Sequence, residues 1–191
     1  VFEMFNWKKM SLVLLAAASL LSGCTKSNIV SPEGGTRADD GQPDTEIDKN
    51  IKIDWLEVRE ELRDQYLEPY GAFADYVMDL DARYNEETGV LTVLLPVTHQ
   101  TTPEAAVAYA QDVLATIGTC VHTQNFYYTE PETNEEGYTT DYGSFFDEHD
   151  VLVQVFPYDK EGEVSEYIIN DTLKAGDVRA LELSLIHLSE P

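Results

Sequence analysis

Between Arg83 and Lys160 the chain contains no lysine and no arginine, while aspartate and glutamate recur throughout. A compact fold must therefore crowd these carboxylates with no local counter-charge. The formal net charge of the whole chain is −24. Such a surface repels phosphate backbones, which excludes nucleic acid as a partner, and it equally repels anionic lipid headgroups. Two readings of the acidity remain: a site for Ca²⁺ or a cationic partner, or an exported domain kept soluble by charge.

The N-terminus supplies an address. Lys8 and Lys9 precede an apolar run from Met10 to Leu21, which ends in Leu21-Ser22-Gly23-Cys24. A basic n-region, a short h-region and a small-residue cleavage site form a secretory signal. The run is shorter than the ~20 residues that span a bilayer as a helix. Leu21 to Cys24 resembles the lipobox of bacterial lipoproteins, an aliphatic and two small residues before the cysteine that is lipidated. The resemblance implies a signal peptide over 1–23, lipidation of Cys24 and a domain exported and lipid-anchored to a bacterial membrane, periplasmic or at the cell surface. The membrane is then a partner through the N-terminal lipid alone.

Cys120 is the only other cysteine. No internal disulfide can form once Cys24 is lipidated, so the core alone must hold the domain. Cys120 follows an apolar helical pattern and reads as a small buried hydrophobe. With Val121 and His122 it gives too few ligands for zinc and no sign of an activated thiol.

Residues 24–50 are rich in Ser, Pro, Gly, Asp and Glu and read as a flexible tether, with a root-mean-square reach of about 30 Å. The spacing of Trp55, Val58, Leu62 and Tyr66 behind Asp54 predicts a capped helix ending at Pro69-Tyr70-Gly71. Alternation then places Tyr76, Met78, Leu80, Ala82 and Tyr84 on one strand face. Asn85 to Gly89 turns the chain, and Val90 to Leu95 returns as a hairpin. Thr101 with Glu104 suggests a capping box for a helix from Ala105 to Ile117, stopped by Gly118. A strand over 121–128, an acidic loop over 130–143, and a hairpin of Val151–Phe156 with Val164–Ile169 follow.

This order predicts an α+β domain over 51–175: an antiparallel sheet of about four to five strands with helices on one face. Its hairpin–helix–hairpin middle is similar in outline to the small exported domains called PepSY. Residues 176–191 read as a truncated end, and 183–191 resemble a translated sequencing adapter, a tail expected to add nothing to the core.

Two constellations could carry chemistry. Asp147, Glu148 and Asp150, with Asp141 nearby, offer oxygen ligands for Ca²⁺ at a strand mouth. As acid/base groups, Glu148 and His149 would need a pocket and shifted pKa values. The second is aromatic: Tyr127, Tyr138, Tyr142 and Tyr158 could present a rigid binding surface with polar tips, while Phe126, Tyr128 and Phe156 line the core. The sequence has no Gly-x-Ser-x-Gly elbow, phosphate loop, His-Glu-x-x-His or Cys-x-x-Cys. The reading is a monomeric, non-enzymatic binding module for a protein, peptide or glycan of the envelope, with no cofactor. The alternatives are a small envelope hydrolase, or its N-terminal part, and a PepSY-like periplasmic regulator or inhibitor.

Overall fold

A computed structural model describes residues 49–133, 139–177 and 179–184. The signal segment, Cys24, nearly all of the tether, Tyr138 and residues 185–191 lie outside the described residues. Among the described residues no helix is long and apolar enough to cross a membrane.

Helix α1 spans Trp55–Tyr66, and Asp54 caps it by accepting from the backbone amides of Leu56 (2.9 Å) and Glu57 (3.3 Å). Val58, Leu62 and Tyr66 are buried along its inner stripe. The first hairpin is also present, as β1 (Asp81–Asn85) and β2 (Val90–Val97) in antiparallel register. Asn85 Oδ1 takes the amides of Glu87 and Thr88, and Gly89 supplies the positive φ of 67° that closes the turn. β1 is shorter than the alternation implied. A turn at Phe73–Tyr76 shifts the phase, so Val77 bridges Val97 while Met78 is exposed.

Helix α2 runs Pro103–Gln124, straight through the expected stop at Gly118. Its cap is Thr102, whose hydroxyl accepts from the Ala105 amide. Thr101 is buried instead, within reach of Thr98. The strand expected over 121–128 is therefore helix to Gln124 and loop beyond. Gly118 is a packing residue: a Cβ there would overlap the Tyr142 carbonyl oxygen and crowd the Pro131 ring. Ile117 and Val121 continue the buried stripe on either side of it, four residues apart.

The connection to β5 (Asp150–Pro157) passes a small ladder of β3 (Glu132–Thr133) with β4 (Thr139–Asp141), then the short helix α3 (Phe145–Glu148). β5 pairs with β2 in parallel, Val90 opposite Asp150 and Val97 opposite Pro157. The sheet is thus mixed, where a purely antiparallel one was expected, because α2 provides the long crossover that parallel pairing requires. β6 (Ile169–Leu173) completes the order β1-β2-β5-β6. The return strand begins later than expected, since Val164–Glu166 is a 3₁₀ turn.

One face of this sheet makes the core. Leu91, Val93, Leu95 and Val97 alternate with half-buried residues, as do Val151, Val153 and Val155. Val58 and Leu62 of α1 and Val113, Leu114 and Ile117 of α2 belong to the same cluster. The core reaches past residue 175. Asp171 takes a bidentate pair from Arg179 (2.7 and 2.8 Å) and the Glu182 amide, which seats Leu181 in the core. Leu183 packs on the cluster and bridges Ile169, and Ser184 donates to the Ile168 carbonyl. The expectation that the tail stands clear of the core thus fails for its first two residues.

Candidate functional site

The end of the sheet where β1 finishes and β2 and β5 begin carries an aromatic cluster drawn from five parts of the chain. α1 opens with Trp55, β1 nears its end with Tyr84, the loop after α2 contributes Tyr128, α3 begins with Phe145, and His149 leads into β5. Trp55 stacks on Tyr84 at 5.2 Å, and Phe145 lies against Trp55, Tyr84 and Tyr128 at 5.5, 5.9 and 5.4 Å between ring centroids. Phe145 is buried at the centre, with the His149 ring 4.3 Å away. Such offset and edge contacts add about 0.5–1.5 kcal/mol per pair beyond area burial.

These rings line a cleft of about 270 Å³, whose other wall is the segment from Lys49 to Ile53. That wall is held by the end of α2. Asn125, 1 % exposed, donates from Nδ2 to the Ile51 carbonyl (3.1 Å) and accepts from the Tyr127 amide (3.0 Å). Gln124 accepts from the Asp54 amide at 2.7 Å and donates to the Asp54 carbonyl. At the rim Lys52 pairs with Glu86 (3.3 Å), and both side chains are largely in solvent.

The cleft has one polar pair inside it. His149 Nδ1 lies 3.1 Å from the Tyr84 hydroxyl. Burial holds the His149 pKa below the usual imidazole value, against the opposing pull of Glu148, so the ring is held towards its neutral form. Burial, helped by Glu86, likewise pushes the Tyr84 phenol up. The pair is a neutral hydrogen bond in an aromatic setting.

The residues singled out from sequence are distributed differently. Asp150 accepts from Lys174 Nζ (2.6 Å) and the Ala175 amide (3.0 Å), which hold its carboxyl below the usual range. Glu148 accepts from the Tyr127 hydroxyl (3.0 Å), Asp147 is exposed, and Asp141 closes on the Gly143 amide. Asp147, Glu148 and Asp150 are thus not gathered on a common point. Among the described residues no three His, Cys, Asp or Glu side chains are arranged to hold a metal ion.

The described candidate tyrosines, Tyr127, Tyr142 and Tyr158, do not form one surface either. Tyr142 is half-buried against Phe146, and burial raises its phenol pKa. Tyr158 lies one residue beyond the far end of β5, a strand about 23 Å long at ~3.3 Å per residue. Of the three described candidates, Tyr127, bound to Glu148, is the one placed beside the cleft. Tyr138 lies outside the described residues. Phe126, expected in the core, is 66 % exposed.

Cys120 lines a separate groove of about 230 Å³ between α1 and α2 with Glu57 and Glu61. Burial and those carboxylates push its thiol up to about 11, the opposite of an activated nucleophile. His122 is engaged elsewhere, with Nδ1 2.6 Å from the Tyr128 carbonyl.

Sequence reasoning set Trp55 on a helix stripe and Tyr84 on a strand face, and gave no site role to either, to Phe145 or to Lys49–Ile53. The available signal was Gly143-Ser144 ahead of Phe145-Phe146-Asp147-Glu148, a turn leading into a short acidic helix with an aromatic pair. No family model, curated protein or solved structure matches the chain.

Proposed function

We propose that the chain is a bacterial envelope lipoprotein, anchored through Cys24, whose α+β domain is a non-enzymatic binding module. The observation that carries the binding reading is the aromatic cleft. Trp55, Tyr84, Tyr128 and Phe145 come together from distant parts of the chain at one end of the sheet, with a wall formed by the last two residues of the expected tether and the three that follow. Clefts lined by aromatic side chains with a few polar groups are the usual form of a ligand site. The residues that could have served an acid/base role are otherwise engaged: Glu148 by Tyr127, and His149 by Tyr84.

The anchor is tested by mass spectrometry of the protein expressed in a bacterial host. A mature chain that begins at Cys24 with added acyl mass is expected, and any other start contradicts it. Binding is tested by cosedimentation of the chain with purified envelope fractions. Tyr128→Ala at the cleft should reduce it, while Tyr158→Ala at the far end should not. Equal cosedimentation of both variants with the parent contradicts the assignment.

A further inference from the structure

The lining of the cleft selects among ligand chemistries. Trp55, Tyr84 and Tyr128, half-buried over the buried Phe145, offer aromatic surface to the cleft, while the rim carries Lys49 and the Lys52–Glu86 pair. A polyanion is disfavoured by the net charge of −24. A cation is disfavoured at the cleft itself, where two ammonium groups line the space and only one has a carboxylate partner. Among the described residues, every lysine and arginine except Lys49 pairs with a carboxylate. Lys49 therefore brings three unused donors to the rim.

An extended peptide would need free backbone groups in the wall. The Ile51 carbonyl is already taken by Asn125, and both backbone groups of Asp54, next to the wall, by Gln124, which interrupts the run such a strand would pair with. The cleft also offers side-chain hydrogen bonding beside aromatic surface. That matches a neutral pyranose, whose C–H face lies on a ring while its hydroxyls reach the rim. The volume, about 270 Å³, is just below the ~300 Å³ at which pockets for drug-sized ligands begin. It accommodates a single ring-sized unit.

We propose that this cleft binds one residue of an uncharged glycan. The ring sits against the aromatic faces beside Tyr128, and Lys49 and Glu86 take its hydroxyls. This rests on the binding reading above and narrows it to a ligand class.

The test uses the full chain carrying Trp7→Phe, so that Trp55 is the only tryptophan reporting. Its emission is titrated with cellohexaose, maltohexaose, mannohexaose and xylohexaose, and with hexagalacturonate and a chitosan hexamer as charged counterparts. At least one neutral hexamer should give a saturable change. Tyr128→Ala should weaken that binding about tenfold or more, a loss of about 1.4 kcal/mol. Tyr158→Ala should leave it unchanged. Lys49→Ala, at an exposed position, replaces the tyrosine variant if that does not fold, and should weaken binding about threefold.

A response to the charged hexamers alone overturns the neutral assignment. A response that neither cleft variant alters overturns the location. If no neutral hexamer binds while Tyr128→Ala still lowers cosedimentation with envelope fractions, the glycan assignment falls and the binding reading stands. If both fail, both fall.

Discussion

The two ends of the parallel pair β2–β5 carry similar residues in opposite circumstances. At one end His149 lies under Phe145 and bonds Tyr84, and burial lowers its pKa. At the other, His99 packs edge-on against Tyr158 and faces Asp159 at 3.1 Å, with both side chains of that contact about half in solvent. Each end has a histidine, a tyrosine and a nearby acid. Among the described residues only the first has a covering wall, because Asn125 and Gln124 pin residues 51–54 across it. A second wall, more than residue type, separates a candidate site from an ordinary solvated corner.

The sharpest way to break this contrast is to truncate one ring at each end. Phe145→Ala removes a buried aromatic from the centre of the cluster and should cost about 3–5 kcal/mol in denaturant unfolding. Tyr158→Ala, at a half-exposed ring, should stay within about 0.5 kcal/mol. Similar losses at both ends would erase the distinction.

The covering wall can be loosened next. Asn125→Ala leaves the Ile51 carbonyl and the Tyr127 amide without their partner, at an expected cost of about 1–3 kcal/mol. Amide hydrogen exchange should also rise from Ile51 to Asp54. Unchanged exchange there would show that the wall does not depend on Asn125.

A smaller effect separates the two histidines by pH. The folded pKa of His149 is lowered, so near the unfolded value of about 6.5 the unfolded chain binds more protons than the folded one. Its contribution to stability is present above that value and is lost as pH falls through the lower folded pKa. Comparing the parent with His149→Gln cancels the general relief of carboxylate repulsion on acidification. The parent's advantage should shrink between pH 7.5 and 5. Two parallel stability curves would contradict burial of the ring.

The smallest expected difference is between two salts. With Asp150 held by Lys174 and Glu148 by Tyr127, the carboxylates at the cleft end should respond to screening alone. Melting midpoints in NaCl and CaCl₂ at equal ionic strength should coincide. A gain in calcium alone, lost in Asp147→Asn, would restore the metal reading.

Much of the fold was legible because its signals are local. Asp54 capping α1, Asn85 and Gly89 turning the hairpin, and the alternation of Val151, Val153 and Val155 each act within a few residues. Where a local signal had a distant cause, it misled. Gly118 resembles a helix stop, yet it is there to admit the Tyr142 carbonyl. Parallel pairing of β2 with β5 was not legible, since a strand with one buried face shows the same alternation in either direction. The cleft was the least legible part. Trp55, Tyr84, Tyr128 and Phe145 belong to four separate segments, and only the folded chain brings their rings together.

The binding reading places the ligand at the walled aromatic end of the sheet. Backbone amide chemical shifts of the isotope-labelled chain, followed during titration with a bound oligosaccharide, test it most directly. The perturbed amides should cluster at Lys49–Trp55, Tyr84, Tyr128 and Phe145–His149, with those around His99 and Tyr158 unmoved. Perturbations centred on His99 and Tyr158, or spread evenly over the sheet, would contradict it.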